Sequence, residues 1–292
     1  MESNAAADTS ADRKSGAGRT GTWIYRHTVP IRITHWVNAL AVLVMLMSGL
    51  QIFNAHPALY WGNKSLFDRP LLALTAERGA DGTLQGVTTL LGYRFDTTGV
   101  LGASEVDGQM QARGFPTWAT LPSQQWLAMG RRWHFFFAWI LVLNALAYAS
   151  YSLASRHLRR DLLPTGTELR GTGRSVLDHL RLRFPTGEEA KRYNVLQKLS
   201  YLGVMFGLLP LAVLTGLTMS PWMAARFPWL LNLFDGRQSA RTLHFVVASL
   251  LVIFALVHLV MVLLTGPWNN LRGIILGRYR IPESRHEPPN SD

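Results

Sequence analysis

The chain has no cysteine among its 292 residues. That absence excludes covalent c-type haem attachment through Cys-x-x-Cys-His, thiolate-held iron–sulfur clusters and disulfides. Acidic residues are scarce: 18 Asp and Glu stand against 29 Lys and Arg, a formal charge of +11. The glycine fingerprints of flavin and nicotinamide sites are also missing, since Gly171 and Gly173 sit in an arginine-rich stretch with no strand before them. The chain therefore carries no chemistry of its own for oxidising a substrate. Charge is nearly absent from the centres of four long apolar runs, at about residues 31–53, 131–152, 197–219 and 240–264. Each approaches or exceeds the ~20 residues needed to cross a hydrocarbon layer, so the sequence predicts a polytopic membrane protein in contact with lipid. The first run is too long for a signal-peptide core and is read as a retained span.

Arginine placement predicts the orientation. Residues 153–196 hold Arg156, Arg159, Arg160, Arg170, Arg174, Arg181, Arg183, Lys191 and Arg192, and Lys198 follows. By the positive-inside rule this connection faces the cytoplasm of a bacterial inner membrane. With four spans both termini fall on the same side, where Arg13, Lys14, Arg19, Arg26, Arg272, Arg278, Arg280 and Arg285 lie. This topology accounts for the basic balance without a nucleic-acid partner.

Four histidines lie within the apolar runs: His35 in the first, His134 in the second, His244 and His258 in the fourth. Fourteen residues separate the last two, which on a helix brings the imidazoles to within about 40° of each other and about 21 Å apart along the axis. Ionisable groups inside membrane helices mark functional sites, and imidazole is a preferred axial ligand of haem iron. The topology sets His35 and His258 at one depth near the cytoplasmic face, and His134 and His244 at another near the outer face. The expectation is two bis-histidine pairs, hence two non-covalent b haems. Arg32, Arg131, Arg132 and Arg241 lie within about one turn of these histidines and are candidates for the anionic propionates, or ordinary anchors of helix ends. His27, His56, His157, His179 and His286 lie outside the spans and are expected to be solvated.

The segment Arg26 to Trp36, reading R-H-T-V-P-I-R-I-T-H-W, the His244/His258 spacing and the exit Gly273 to Tyr279 resemble the bacterial di-haem cytochrome b subunits of the cytochrome b561 and nickel–iron hydrogenase type. That family includes the formate dehydrogenase gamma and thiosulfate reductase cytochrome b subunits. The resemblance implies a membrane anchor passing electrons between a catalytic partner and menaquinone or ubiquinone. Tyr193, Asn194, Gln197 and Lys198, reading Y-N-V-L-Q-K, resemble the family's aromatic-Asn-x-Gly-Gln-Lys entry to the third helix, which implies quinone contact by Asn194 with Lys198 nearby; Leu196 replaces the glycine. An N-terminal helix cap is the alternative for this motif.

The expected fold is an all-α membrane four-helix bundle binding two b haems, with an enlarged periplasmic loop at residues 54–130. Residues 1–22 are expected to be a disordered cytoplasmic tail, 23–280 the membrane domain and 281–292 a cytoplasmic tail; no internal repeat or second folded domain is evident. The loop's aromatic content and length suggest a docking surface for a periplasmic partner, a molybdopterin oxidoreductase of the thiosulfate reductase type by the same resemblance. The shorter outer connection, residues 220–239, reads as an amphipathic interfacial element. A free-standing quinol or superoxide oxidoreductase and a histidine-lined transporter remain the alternatives.

Overall fold

Four apolar helical spans, Val29–Phe53, Leu127–Ala154, Val195–Met219 and Arg237–Leu264, dominate the computed structural model, which describes residues 21–80, 82–181 and 194–282. The first, α1 (Val29–Phe53), starts where Pro30 fits the first turn. It packs closely along α2 (Leu127–Ala154). Small buried side chains, Ala41 and Ser48, allow the approach. At Gly130 an added Cβ would lie 2.9 Å from Gln51 Cγ, so only glycine permits this crossing. Further along, Asn144 Nδ2 donates to Thr34 O at 2.8 Å and to Asn38 Oδ1 at 2.7 Å.

The third span comprises α5 (Val195–Leu202), a π turn over Gly203–Leu208 and α6 (Leu209–Met219). Pro210 lacks the amide that a continuous helix would use, and the wider turn accommodates that loss. α6 packs against α9 (Arg237–Leu264), where Thr215, Thr218, Ala240 and Val247 are buried. The bundle is thus two helical hairpins, α1 with α2 and α6 with α9. The four spans agree with the apolar runs in the sequence to within four residues at each end.

The connection between the first and second spans corrects the expectation of an all-α chain. It folds into a four-stranded antiparallel sheet, in the order β2 (Ala58–Leu59), β3 (Leu72–Arg78), β4 (Leu84–Leu90), β5 (Tyr93–Asp96), followed by the hairpin β6 (Ala103–Val106) and β7 (Gln109–Ala112). The hairpin turns carry positive φ at Leu91 and Gly92 and at Asp107 and Gly108, the two-residue geometry whose backbone twist suits flanking strands. The Asp-Gly pair is a turn signal that the sequence reading passed over. The sheet is seated on the spans: Phe53 at the end of α1, Leu59 and Leu74 form a core against which Leu72, Leu101, Phe115 and Phe245 pack. Buried Arg113, just after β7, ties the hairpin to the segment that leads into α2 through Phe115 O, Thr120 Oγ1 and Ser123 O. The 220–239 connection holds two short helices, α7 (Pro221–Arg226) and α8 (Trp229–Leu233), with Trp222 and Trp229 exposed.

At the opposite end, β1 (Gly21–Tyr25) pairs antiparallel with β8 (Arg278–Pro282). This ribbon crosses both expected domain boundaries, extending ordered backbone to residues 21 and 282. It follows α10 (Pro267–Leu276), which turns back after α9. The connection between the second and third spans carries α3 (Gly166–Arg170) and α4 (Thr172–Leu180). Residues 1–20, Tyr193 and the tail after 282, for which the sequence made specific expectations, lie outside the described residues.

Candidate functional site

The two hairpins bring the four span histidines together as two facing pairs. His134 on α2 meets His244 on α9 with ring centroids 6.2 Å apart, at the end of the bundle that carries the sheet. His35 on α1 meets His258 on α9 at 6.3 Å, at the end that carries the chain termini. An imidazole nitrogen sits about 2.0–2.1 Å from a bound first-row metal ion and the ring centre about 1.1–1.2 Å behind it, so two rings flanking one ion stand roughly 6.3 Å apart. Both pairs match that spacing. Among the described residues, no three His, Asp or Glu side chains converge on one point. Each pair therefore offers two nitrogen donors, the number a haem iron would take from the protein, and fewer than the three or four protein ligands of a zinc centre.

Supports behind the rings differ. His134 Nδ1 lies 3.0 Å from Met45 O and 3.3 Å from Ser48 Oγ on α1. His244 Nδ1 lies 3.0 Å from Ala212 O and 3.0 Å from Thr215 Oγ1 on α6. A carbonyl only accepts, so each Nδ1 carries the proton and Nε2 is left with its lone pair for a metal. Gly49 and Gly216 follow the hydroxyl residues, and a Cβ on either would approach the ring Cε1 to 3.4 Å. Ser48-Gly49-Leu50 and Thr215-Gly216-Leu217 thus form a short internal repeat that the sequence reading missed. The visible signal was a hydroxyl residue followed by Gly-Leu in two different spans. At the other end, His35 and His258 make no hydrogen bond among the described residues. Their rings rest on aromatic faces, His35 edge-on to Trp36 at 5.6 Å and His258 stacked on Phe254 at 6.1 Å, with Tyr201 beyond.

Unpartnered polar atoms lie beside both pairs. At the sheet end Arg241, one turn before His244, donates to His56 O and lies over the Phe53 ring, and no carboxylate pairs with it among the described residues. His56 packs against Tyr60 and Phe67, and its Nε2 is buried without a partner. Burial, with help from Arg241, lowers the His56 pKa. At the terminal end, Arg32 donates to Ile275 O, while Arg32 Nε and His27 Nδ1 are buried without partners. Burial first, then the charges of Arg26 and His35, lowers the His27 pKa to about 4. His27 and His56 are each half-buried with one ring nitrogen shut off from water, His27 against α10 and His56 against Tyr60, Phe67 and Arg241, and so are not the solvated residues the sequence suggested. These buried polar groups would suit anionic groups such as the propionates that a b haem carries.

Asn194 caps α5: its Oδ1 accepts from Leu196 N at 3.1 Å and from Ser175 Oγ at 2.8 Å, while Gln197 reaches back to Asn194 N at 3.2 Å. Lys198 is buried and its Nζ donates to Glu168 at 2.8 and 3.1 Å. The Lys198 hydrogen bond is the first cause of a lowered Glu168 pKa. The helix-cap alternative for this motif is present in the structure, and the lysine is tied to α3.

Residues 26–277 match the family model described as prokaryotic cytochrome b561. The chain belongs to the prokaryotic cytochrome b561 family. Membrane integration, electron transport and b-type haem accompany that membership. The chain is 27% identical over 239 residues to a protein of Azospira oryzae named as a protein-methionine-sulfoxide reductase subunit, YedZ1, covering 82% of this chain and 90% of that one. It is 23% identical over 255 residues to a protein of Cupriavidus necator named as a Ni/Fe-hydrogenase B-type cytochrome subunit, covering 84% and 80%. No solved structure matches.

Proposed function

We propose that this cytochrome b561-family protein carries electrons between membrane quinone and a catalytic partner on the outer side of a bacterial inner membrane, through two bis-histidine b haems. The observation that carries the reading is the pair of imidazole gaps, 6.2 and 6.3 Å, at two depths of one bundle. Haem b supplies a one-electron Fe(III)/Fe(II) couple when bound. His134 and His244 would hold the haem at the sheet end, with Arg241 and His56 on its anionic edge. His35 and His258 would hold the other, with Arg32 and His27 beside it. The terminal end faces the cytoplasm, in keeping with Arg159, Arg160, Arg170 and Arg174 on the connection at that end.

Quinone would meet the terminal-end pair beside the start of α5, taking a hydrogen bond from Asn194 Nδ2, while the Glu168–Lys198 ion pair closes the site towards water. The outer sheet, with Phe67, Tyr93 and Trp118 exposed, is the surface on which a partner docks. The partner is a molybdopterin oxidoreductase; the name of the Azospira relative favours a sulfoxide reductase over a thiosulfate reductase.

Quinol-driven reduction, followed by haem absorbance in membranes, tests this order. His134→Ala should leave the terminal-end haem reducible by quinol, and His35→Ala should block reduction of the outer one. Undiminished quinol reduction of the outer haem in His35→Ala would remove the proposed direction of entry.

A further inference from the structure

Ser48 and Thr215 occupy equivalent positions in the two hairpins, each on the helix packed behind a histidine and never on the helix that bears it. The Ser48 hydroxyl donates to Val44 O at 2.6 Å, and the Thr215 hydroxyl to Leu211 O at 2.7 Å. A hydroxyl has one proton, and here it is spent on the carbonyl four residues back. What each oxygen can offer the neighbouring imidazole is a lone pair. Nδ1–H of His134 is thus shared between Met45 O and Ser48 Oγ, and Nδ1–H of His244 between Ala212 O and Thr215 Oγ1. Both hydroxyl residues are fully buried, so no water competes for this bond. Gly49 and Gly216 bring the backbone close to the rings, where an added Cβ would stand 3.4 Å from Cε1, at the short edge of ordinary contact.

We propose that Ser48 and Thr215 are a matched pair of positioning residues that fix the orientation and tautomer of the outer haem ligands and, through them, lower the reduction potential of that haem alone. Hydrogen-bond acceptance at Nδ1 makes the imidazole a more basic ligand, and a more basic ligand favours the ferric state. Neither His35 nor His258 has such an acceptor among the described residues, so the device acts on one haem of the two. The inference rests on the reading of His134 and His244 as haem ligands.

The test keeps volume and hydroxyl apart. Thr215→Val preserves the shape and removes the hydroxyl; Thr215→Ser removes a methyl and keeps it. Redox titration of the purified full-length protein should show the outer component raised in Thr215→Val and unmoved in Thr215→Ser, with the inner component unchanged in both. A three- to tenfold change in the ferric-to-ferrous equilibrium is expected, roughly 30–60 mV at 59 mV per decade. The low-spin ferric electron paramagnetic resonance signal of the outer haem should move with the potential. Ser48→Ala should act in the same direction and Ser48→Thr should retain the wild-type value. Failure of Thr215→Val to retain the outer haem, with Thr215→Ser loading normally, also supports the hydroxyl's role. Unchanged potentials in Thr215→Val, an equal shift of both haems, or a shift in Thr215→Ser instead would overturn it. If His244→Ala still bound both haems, the ligand reading itself would fall, a result distinguishable from any of these.

Discussion

The two ends of the bundle hold the same chemical pair by different means. At the sheet end, both imidazoles are gripped from behind by a carbonyl and a hydroxyl of the adjoining helix, and a folded sheet packs on Phe53 and Phe245 of the same spans. At the terminal end, the imidazoles rest on Trp36 and Phe254, and the neighbouring elements are a two-stranded ribbon and short helices. Directional bonds fix a ring in one orientation, whereas contact with an aromatic face leaves it more freedom to rotate. Under the proposed function, the rigid ligand geometry would serve electron exchange with a docked protein and the looser wall would serve a mobile quinone. The difference follows from small sequence choices, Ser48-Gly49 and Thr215-Gly216 on one side and large rings on the other.

The largest effect expected is the loss of a whole haem. His134→Ala and His244→Ala should remove the same component in a redox titration, and His35→Ala and His258→Ala the other. A shared phenotype between His35→Ala and His244→Ala would dissolve the distinction between the ends.

Next in size is the ion pair at the terminal end. Lys198→Met strands a Glu168 carboxylate that is about one-third exposed, so a loss of about 1–2 kcal/mol is expected in place of the larger cost of a fully buried pair. Because the folded Glu168 pKa is depressed, this contribution is present above the ordinary carboxylate value and is lost as pH falls through the lowered one. Thermal melts of wild type and Lys198→Met should therefore converge towards acid pH. Parallel melts at every pH would show that the pair contributes nothing.

His27 gives the terminal end a second acid sensitivity. With no anion beside it, its folded pKa is about 4 against 6.5 when free, so the unfolded chain takes up a proton between those values that the folded chain refuses; a haem propionate at the site would narrow that window. Stability falls across that window as pH is lowered, and His27→Asn should flatten the profile. A profile unchanged by the substitution would mean that burial of His27 has no energetic consequence.

The smallest effect belongs to Gly216→Ala, whose new Cβ meets His244 Cε1 at 3.4 Å, the short edge of ordinary contact, where at most a slight ring adjustment follows. The outer haem spectrum should change slightly and the inner not at all. Equal changes in both haems would point to a general loosening of α6 against α9.

Much of this was legible in the sequence because a membrane restricts the choices. Apolar runs of span length must be helices, arginine bias sets their direction, and those two facts alone matched His35 with His258 and His134 with His244 in depth. The outer sheet was not legible in the same way. Its strands are short, β5 is exposed at every residue, and the two Asp-Gly turn signals, Asp81-Gly82 and Asp107-Gly108, lay inside a long stretch of mixed composition. The partial burial of His27 and His56 depends on groups distant in sequence, α10 beside His27 and Arg241 of α9 beside His56, so local polarity misled. Ser48 and Thr215 were invisible because a hydroxyl in a membrane helix ordinarily satisfies itself on the preceding turn. Only the facing histidine gives it a further role.

Haem stoichiometry of the intact protein, by pyridine haemochrome against protein mass, tests the central claim most directly. Two b haems per chain, both low-spin in the ferric state, are predicted, falling to one in either His134→Ala or His258→Ala. A single haem in the wild-type protein, or two haems that survive both substitutions, would contradict the two-pair account.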